Sequence, residues 1–326
     1  MPKDKVKYYI DIYNELSKVI KWKVPDKRII MMAASIYVMN QKEFRMNHYL
    51  EIADELKRHA GFFSPMKSYL RFTVAAMLDV NFDNPSKEIP ELYHIYEKFR
   101  QNKFSSSSHT YIASSLVLTR KQTSTSSVDD VIKRSKAIHD KMKKNHAFLT
   151  GYEDYPLATL IAYHTETNIN DKVEGFYNEL NKNGFRKGNH LQFLSHILVL
   201  EEDKSPVYLV SRCTSIFDTF RQANIRPKAS HYSAIGLLAL LPSNAFDMNE
   251  VVDLYQALNE HIKWQKDMNL LLAVCLYATE KLDANITEAG IHTVMEAIIQ
   301  AQQAVIISSI TDISSSTSSD SGGGGD

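Results

Sequence analysis

Cysteine, glycine and proline are all scarce in this chain, and each scarcity narrows what it can be. Two cysteines in 326 residues, Cys213 and Cys275, leave no room for a disulfide framework or a Cys-rich metal site. Eleven glycines and nine prolines are too few for a fold rich in strands and tight turns. Long apolar runs are missing too. No stretch reaches the roughly 18 apolar residues of a membrane span, because Ile291–Ile310 is broken by His292, Glu296, Gln300, Gln302 and Gln303. Charge interrupts the apolar residues near the N-terminus, so no secretory core is read there and a soluble, cytoplasmic protein is expected. There is no Walker-type loop, no G-x-G-x-x-G, no H-E-x-x-H and no C-x-x-C. The expectation is therefore no cofactor, no metal site and no assigned catalytic residue.

What is present is apolar mass and regularity. Apolar residues make up 44% of the chain, ample for a continuous core. Lys plus Arg and Asp plus Glu number 38 each, yet the zero sum hides a split. Residues 1–150 hold 26 basic against 16 acidic side chains, and residues 151–326 hold 12 against 22. A basic half of this kind suits an anionic partner, although solvated helix surface gives the same count.

A repeat organises the sequence. Tyr9-Ile-Asp-Ile-Tyr-Asn-Glu-Leu16 and Tyr49-Leu-Glu-Ile-Ala-Asp-Glu-Leu56 coincide at a shift of 40 residues. Their shared core is a pentad with an apolar residue at each end and an acid or amide in the middle. It recurs at Ile12–Leu16, Ile52–Leu56, Ile95–Phe99, Ile138–Met142, Phe176–Leu180, Ile216–Phe220 and Leu254–Leu258. Apolar residues at i and i+4 form one stripe of an amphipathic helix. A large apolar residue follows each pentad: Trp22, Phe62, Phe104, Phe148, Phe185, Ile225 and Ile262. Then comes a second, more apolar helix, expected over 29–39, 70–80, 111–118, 157–163, 191–200, 232–241 and 270–278. Ser64, Asp154, Asn189, Ser230 and Asp267 stand where helix N-caps are expected.

These signals predict an all-α protein, an α-solenoid of about seven helical hairpins closed by a C-terminal capping helix near 287–310. A lone hairpin cannot dry its apolar face, so neighbours must stack. Residues 1–310 are read as one repeat domain, with 121–127 as the best flexible joint, and 311–326 as a disordered Ser/Gly-rich tail.

The segment 216–241, with Asn224-Ile-Arg-Pro-Lys228, resembles pentatricopeptide repeats, which read single-stranded RNA one base per repeat. The base-reading register would place Ile112, Pro156, Phe193 and Leu270 at positions that need hydrogen-bonding side chains. The hairpin is similar; the code is absent. A closer and nearly full-length resemblance is carried by Phe148-Leu-Thr-Gly-Tyr-Glu-Asp-Tyr-Pro-Leu-Ala158, Lys187-Gly-Asn-His-Leu-Gln-Phe-Leu-Ser-His-Ile-Leu198 and Ser230-His-Tyr-Ser-Ala-Ile-Gly-Leu-Leu-Ala-Leu-Leu241. These blocks are similar to domain-of-unknown-function family 4003. The resemblance implies an all-helical bacterial protein and brings no activity and no functional residues.

One group of polar residues repeats with the hairpins. His109, His190 and His231 fall where second helices begin, beside Asp154, Asn189 and Tyr232. Asp154, Asn189, His190, His231 and Tyr232 are thus the candidate ligand-binding groove rim, where helix N-termini and side chains could meet an anion. Capping chemistry repeated with the hairpin explains the same pattern. The leading functional expectation is a non-enzymatic scaffold for a protein or peptide. Nucleic-acid binding through Lys133, Arg134, Lys136, Lys141, Lys143 and Lys144, or an enzyme with a groove site near His190, His231 and Asp154, are the alternatives.

Overall fold

The computed structural model describes residues 2–121, 124–164, 168–201 and 204–284. The expected capping helix and the Ser/Gly-rich tail lie outside the described residues, as does part of the expected joint at 121–127. Among the described residues the chain is all-helical, with fourteen α-helices, four short 3-10 turns and no strand.

The odd-numbered helices carry the pentads: α1 (Pro2–Ile20), α3 (Met46–His59), α5 (Pro85–Gln101), α7 (Val128–Asn145), α9 (Ile169–Lys182), α11 (Pro206–Gln222) and α13 (Met248–His261). The middle residue of every pentad is exposed, and every apolar end but the half-buried Ile138 is buried. That is the burial pattern of a helix with one dry face.

The even-numbered helices are α2 (Lys27–Met39), α4 (Leu70–Asn81), α6 (Ser108–Arg120), α8 (Tyr155–Ile161), α10 (Asn189–Leu198), α12 (Tyr232–Leu240) and α14 (Lys266–Ala284). They are buried over most of their length; in α4 each residue from Leu70 to Asp79 is buried. Their small hydroxyls remain satisfied by donating back one turn. Ser35 bonds Met32 O at 2.8 Å, Ser114 bonds Thr110 O at 2.7 Å and Thr159 bonds Tyr155 O at 2.8 Å.

The chain divides into two compact units, and the division falls inside α7. The first comprises Tyr8–His139 with Gly151–Tyr163. In it α2 packs on α4, α4 on α6 and α6 on α8, while α3 packs on α4 and α5. Tyr37 on α2 donates to the Asp79 carboxylate on α4 at 2.6 Å within this core. The second unit comprises Asp140–Thr150 with residues 164–284, and residues 2–7 are grouped with it. Here α10 packs on α9 and α12, and α12 on α11 and α14. Gly236 of α12 faces α10 so closely that an added Cβ would come within 2.6 Å of a Leu194 methyl.

The ends of the odd helices explain the large apolar residue after each pentad. In three copies it lies five residues beyond the pentad: Phe104 after Phe99, Phe185 after Leu180 and Ile225 after Phe220. The residue before it takes a left-handed conformation, with φ 65° at Lys103, 92° at Gly184 and 58° at Asn224. Backbone N–H groups then reach back to Phe99, Leu180 and Phe220 carbonyls at 3.2, 3.1 and 2.9 Å. This is the Schellman ending, whose hydrophobic contact joins the first and last residues of the turn. Phe99 and Phe104 meet edge to face at 4.8 Å. In the other copies an aromatic stands six residues beyond the pentad, at Trp22, Phe62, Phe148 and Trp264, and all four are exposed. Three of those helices are sealed two residues earlier, by buried Ile20, Ala60 and Ile262.

Several caps differ from expectation. Asp26, Ser64, Ser107, Ser205 and Asp247 do accept amide bonds at helix or 3-10 starts. Asp154 instead turns back to the Gly151 amide, Asn189 is itself the first residue of α10, and Ser230 bonds Asp267. The backbone ahead of each helix, not the presence of a short polar residue, decides which amides remain open.

Candidate functional site

The expected rim residues separate by unit. Asp154 lies in the first unit, and Asn189, His190, His231 and Tyr232 lie in the second. The Asp154 carboxylate accepts the Gly151 N–H at 3.0 Å. Burial raises its pKa to about 7, opposed by that amide and assisted by the neighbouring Glu153 charge.

His231 is buried at the start of α12. Its Nδ1 accepts the Lys228 N–H at 3.3 Å, which leaves Nε2 as the protonated nitrogen, 3.2 Å from Asp267 Oδ1. Lys228 Nζ and Ser230 Oγ meet the same carboxylate at 2.9 and 3.2 Å. Burial lowers the His231 pKa against the pull of Asp267, and the charges of Lys228 and His190 lower it further. Burial pushes Asp267 up, but the hydrogen bonds from Lys228 and His231 outweigh it and hold the carboxyl below its ordinary value.

The set contains serine, histidine and aspartate without the wiring of a nucleophilic triad. A triad needs the hydroxyl on the imidazole. Here the hydroxyl is on the carboxylate, and the imidazole acceptor is already taken by a backbone amide. The arrangement ties the connector 223–231 to the start of α14. Tyr232 is buried, and its hydroxyl accepts the Arg186 N–H at 2.8 Å. Asn189 and His190 are exposed.

The Tyr232 contact is one of a series that residue patterns alone did not single out. Tyr155, at the start of α8, accepts the Ser105 N–H at 3.3 Å, and Tyr111 of α6 accepts the Ser64 hydroxyl at 2.9 Å. Each ties the start of an even helix to the connector entering the previous even helix. The apolar residue of that connector joins in, because Phe104 meets Tyr155 at 4.7 Å and Phe185 meets Tyr232 at 4.9 Å, both edge to face.

A second polar group, also unanticipated, lies within the second unit. His146 Nε2 is 2.7 Å from Glu174 Oε1, and its ring lies 4.8 Å from Tyr177. Gln192 donates to the Thr150 hydroxyl at 3.1 Å, and His196 Nδ1 meets the Gln192 carbonyl at 2.6 Å. His196 Nε2 and Gln192 Oε1 have no protein partner. Burial lowers the His196 pKa to about 4, with the His146 charge acting in the same sense. His190 and His196 stand six apart, a spacing that puts them on different helix faces, and His146, fifty residues earlier than His196, carries no local signal.

Among the described residues no group of three or more His, Cys, Asp or Glu is placed to hold a metal ion. Both thiols are buried, which pushes Cys213 far up and Cys275 up to about 12, away from any nucleophilic role. Of the positions in the RNA-reading register, Ile112, Pro156 and Leu270 are buried. Two open clefts, of about 570 and 730 Å3, lie along α3 in the first unit and are lined by polar and charged residues including Glu51, Asp54, Arg58 and His48. No rim residue lines either. No described helix is long and apolar enough to cross a membrane.

No solved structure matches the chain. The uncharacterized protein YeaA of Bacillus subtilis (strain 168) is 35% identical over 312 residues, which cover 94% of each chain. The model of a family described as protein of unknown function, DUF4003, matches residues 12–304. With that coverage, and with a relative of this similarity along nearly its whole length, the chain belongs to the DUF4003 family.

Proposed function

We propose that the protein is a non-enzymatic scaffold, a single α-solenoid of seven helical hairpins over residues 1–310 that works in the cytoplasm and binds a protein or peptide. The recurring tie from the first tyrosine of an even helix to the preceding connector carries this reading. It joins successive modules in the same way at Tyr111, Tyr155 and Tyr232. A device that repeats with the module is what a stacked array needs, since each unit dries its neighbour's apolar face. Serial packing of the even helices within each unit supports the same arrangement. The Ser230–His231–Asp267 wiring favours a holding role over a chemical one.

Two measurements test the proposal. Small-angle scattering of the full chain should give an elongated particle; a profile of two freely moving globules would refute the solenoid. Photo-crosslinkers at Asn189 and His190, followed by titration of the recovered partner in purified form, should give saturable binding. Failure of the purified partner to bind would refute the scaffold.

A further inference from the structure

Trp22, Phe62, Phe148 and Trp264 lie outside the buried core. Trp22 is 87% exposed, Phe62 85%, Phe148 102% and Trp264 91%, and each stands six residues beyond its pentad. Phe63 beside Phe62 is 93% exposed, its ring 4.9 Å from its neighbour's. In the remaining three modules the same register holds Ser105, Arg186 and Arg226. A lone exposed apolar residue is ordinary. Four of them at a single register of a repeated module are not.

Lysine or arginine stands within four residues of each, although Phe148's connector also carries Glu153 and Asp154, and Trp22's carries Asp26. Trp22 lies between Lys21 and Lys23, with the Lys21 ammonium 5.0 Å from its ring centroid. Phe62 and Phe63 lie between Arg58 and Lys67, with no acid from 57 to 67. Phe148 follows Lys143 and Lys144, with no acid from 141 to 152. The seven connectors that enter even helices hold nine Lys or Arg against three acids. The six that leave them hold four against seven. The polarity of the sequence therefore runs between the two kinds of connector as well as between its halves.

We propose that the connectors entering the even helices are contacts for an anionic phospholipid bilayer surface. Their aromatics enter the headgroup layer, and the flanking lysines and arginines meet lipid phosphates. Aromatic rings favour that interface, and each nearby cation adds attraction to an anionic leaflet. Single connectors on rigid helix pairs suit a shallow insertion. A nucleic acid would need stacking rings arranged along a basic groove, whereas these rings sit in separate connectors. The first unit supplies Trp22, Phe62 and Phe63, and the second supplies Phe148 and Trp264. The inference goes beyond the scaffold reading and does not depend on it.

The chain's two tryptophans are both among these residues, so its own fluorescence reports the contact. The full-length protein is mixed with vesicles of phosphatidylcholine alone or with phosphatidylserine. With the anionic vesicles the emission should move to shorter wavelength and be quenched by lipids brominated on their acyl chains, and salt should weaken both effects. Phe62→Ala with Phe63→Ala should lower vesicle partitioning by at least about tenfold, given the apolar area withdrawn, with an unchanged circular dichroism spectrum. Unchanged emission with anionic vesicles would overturn the proposal. The same shift with single-stranded oligonucleotide, or with rising protein concentration alone, would overturn it in favour of nucleic acid or of a second copy. The vesicle assay contains no protein partner, so its failure leaves the scaffold reading untouched.

Discussion

Asp154 and His196 show how individual side chains set the acid–base response. Asp154 holds its proton to about pH 7 in the folded chain, whereas an unfolded aspartate releases it near pH 4. The folded state thus binds more protons between those values, and stability falls as pH rises from about 4 to 7. Asp154→Asn keeps an oxygen for the Gly151 amide and removes the charge. It should raise the melting temperature at pH 8 by about 2–4 °C for each kcal/mol relieved, with little change at pH 4, as scanning calorimetry would read. His196 works in the opposite sense. Its folded pKa of about 4 lies below that of an unfolded histidine near 6.5. Its contribution is intact above pH 6.5 and is lost as pH falls toward 4. Denaturant titrations of His196→Leu should show a shallower loss over that window. None of this was legible in the sequence. Asp154 looked like a cap and His196 carried no role of its own, because the burial that fixes their states comes from tertiary packing.

At the scale of the helix pair, the sequence carried most of the information, and the remainder hung on a single residue of spacing. Pentad register alone located all seven odd helices, since a buried i, i+4 stripe leaves its mark on composition. The second helices followed from their apolar density. What could not be read was that five residues from the pentad to the large apolar side chain closes a Schellman turn and six leaves that side chain outside. The distinction depends on backbone conformation at Lys103, Gly184 and Asn224, and only one of these is glycine. Phe104→Ala and Phe185→Ala should each cost about 3–5 kcal/mol in urea unfolding, because both rings are buried and packed on the next tyrosine. Trp22→Ala and Phe148→Ala should change stability by less than about 0.5 kcal/mol. Lys103→Gly should stabilise by about 0.5–1 kcal/mol, since φ 65° suits glycine better than lysine. The candidate rim was less legible than the helices. Two of its members are tied to partners 36 and 46 residues away, His231 to Asp267 and Tyr232 to Arg186.

For the molecule as a whole, the placement of its sulfhydryl groups has a practical result. Cys213 and Cys275 both belong to the second unit, and residues 8–139 and 151–163 contain neither. Both are shielded within α11 and α14, so an alkylating reagent can reach them only when that part of the protein opens. Timed labelling read by mass spectrometry, set beside amide exchange in the cysteine-free part, would reveal whether the two parts melt as one body or in sequence. Matching opening energies would mean a single cooperative fold, and lower protection on one side would identify the part that gives way first.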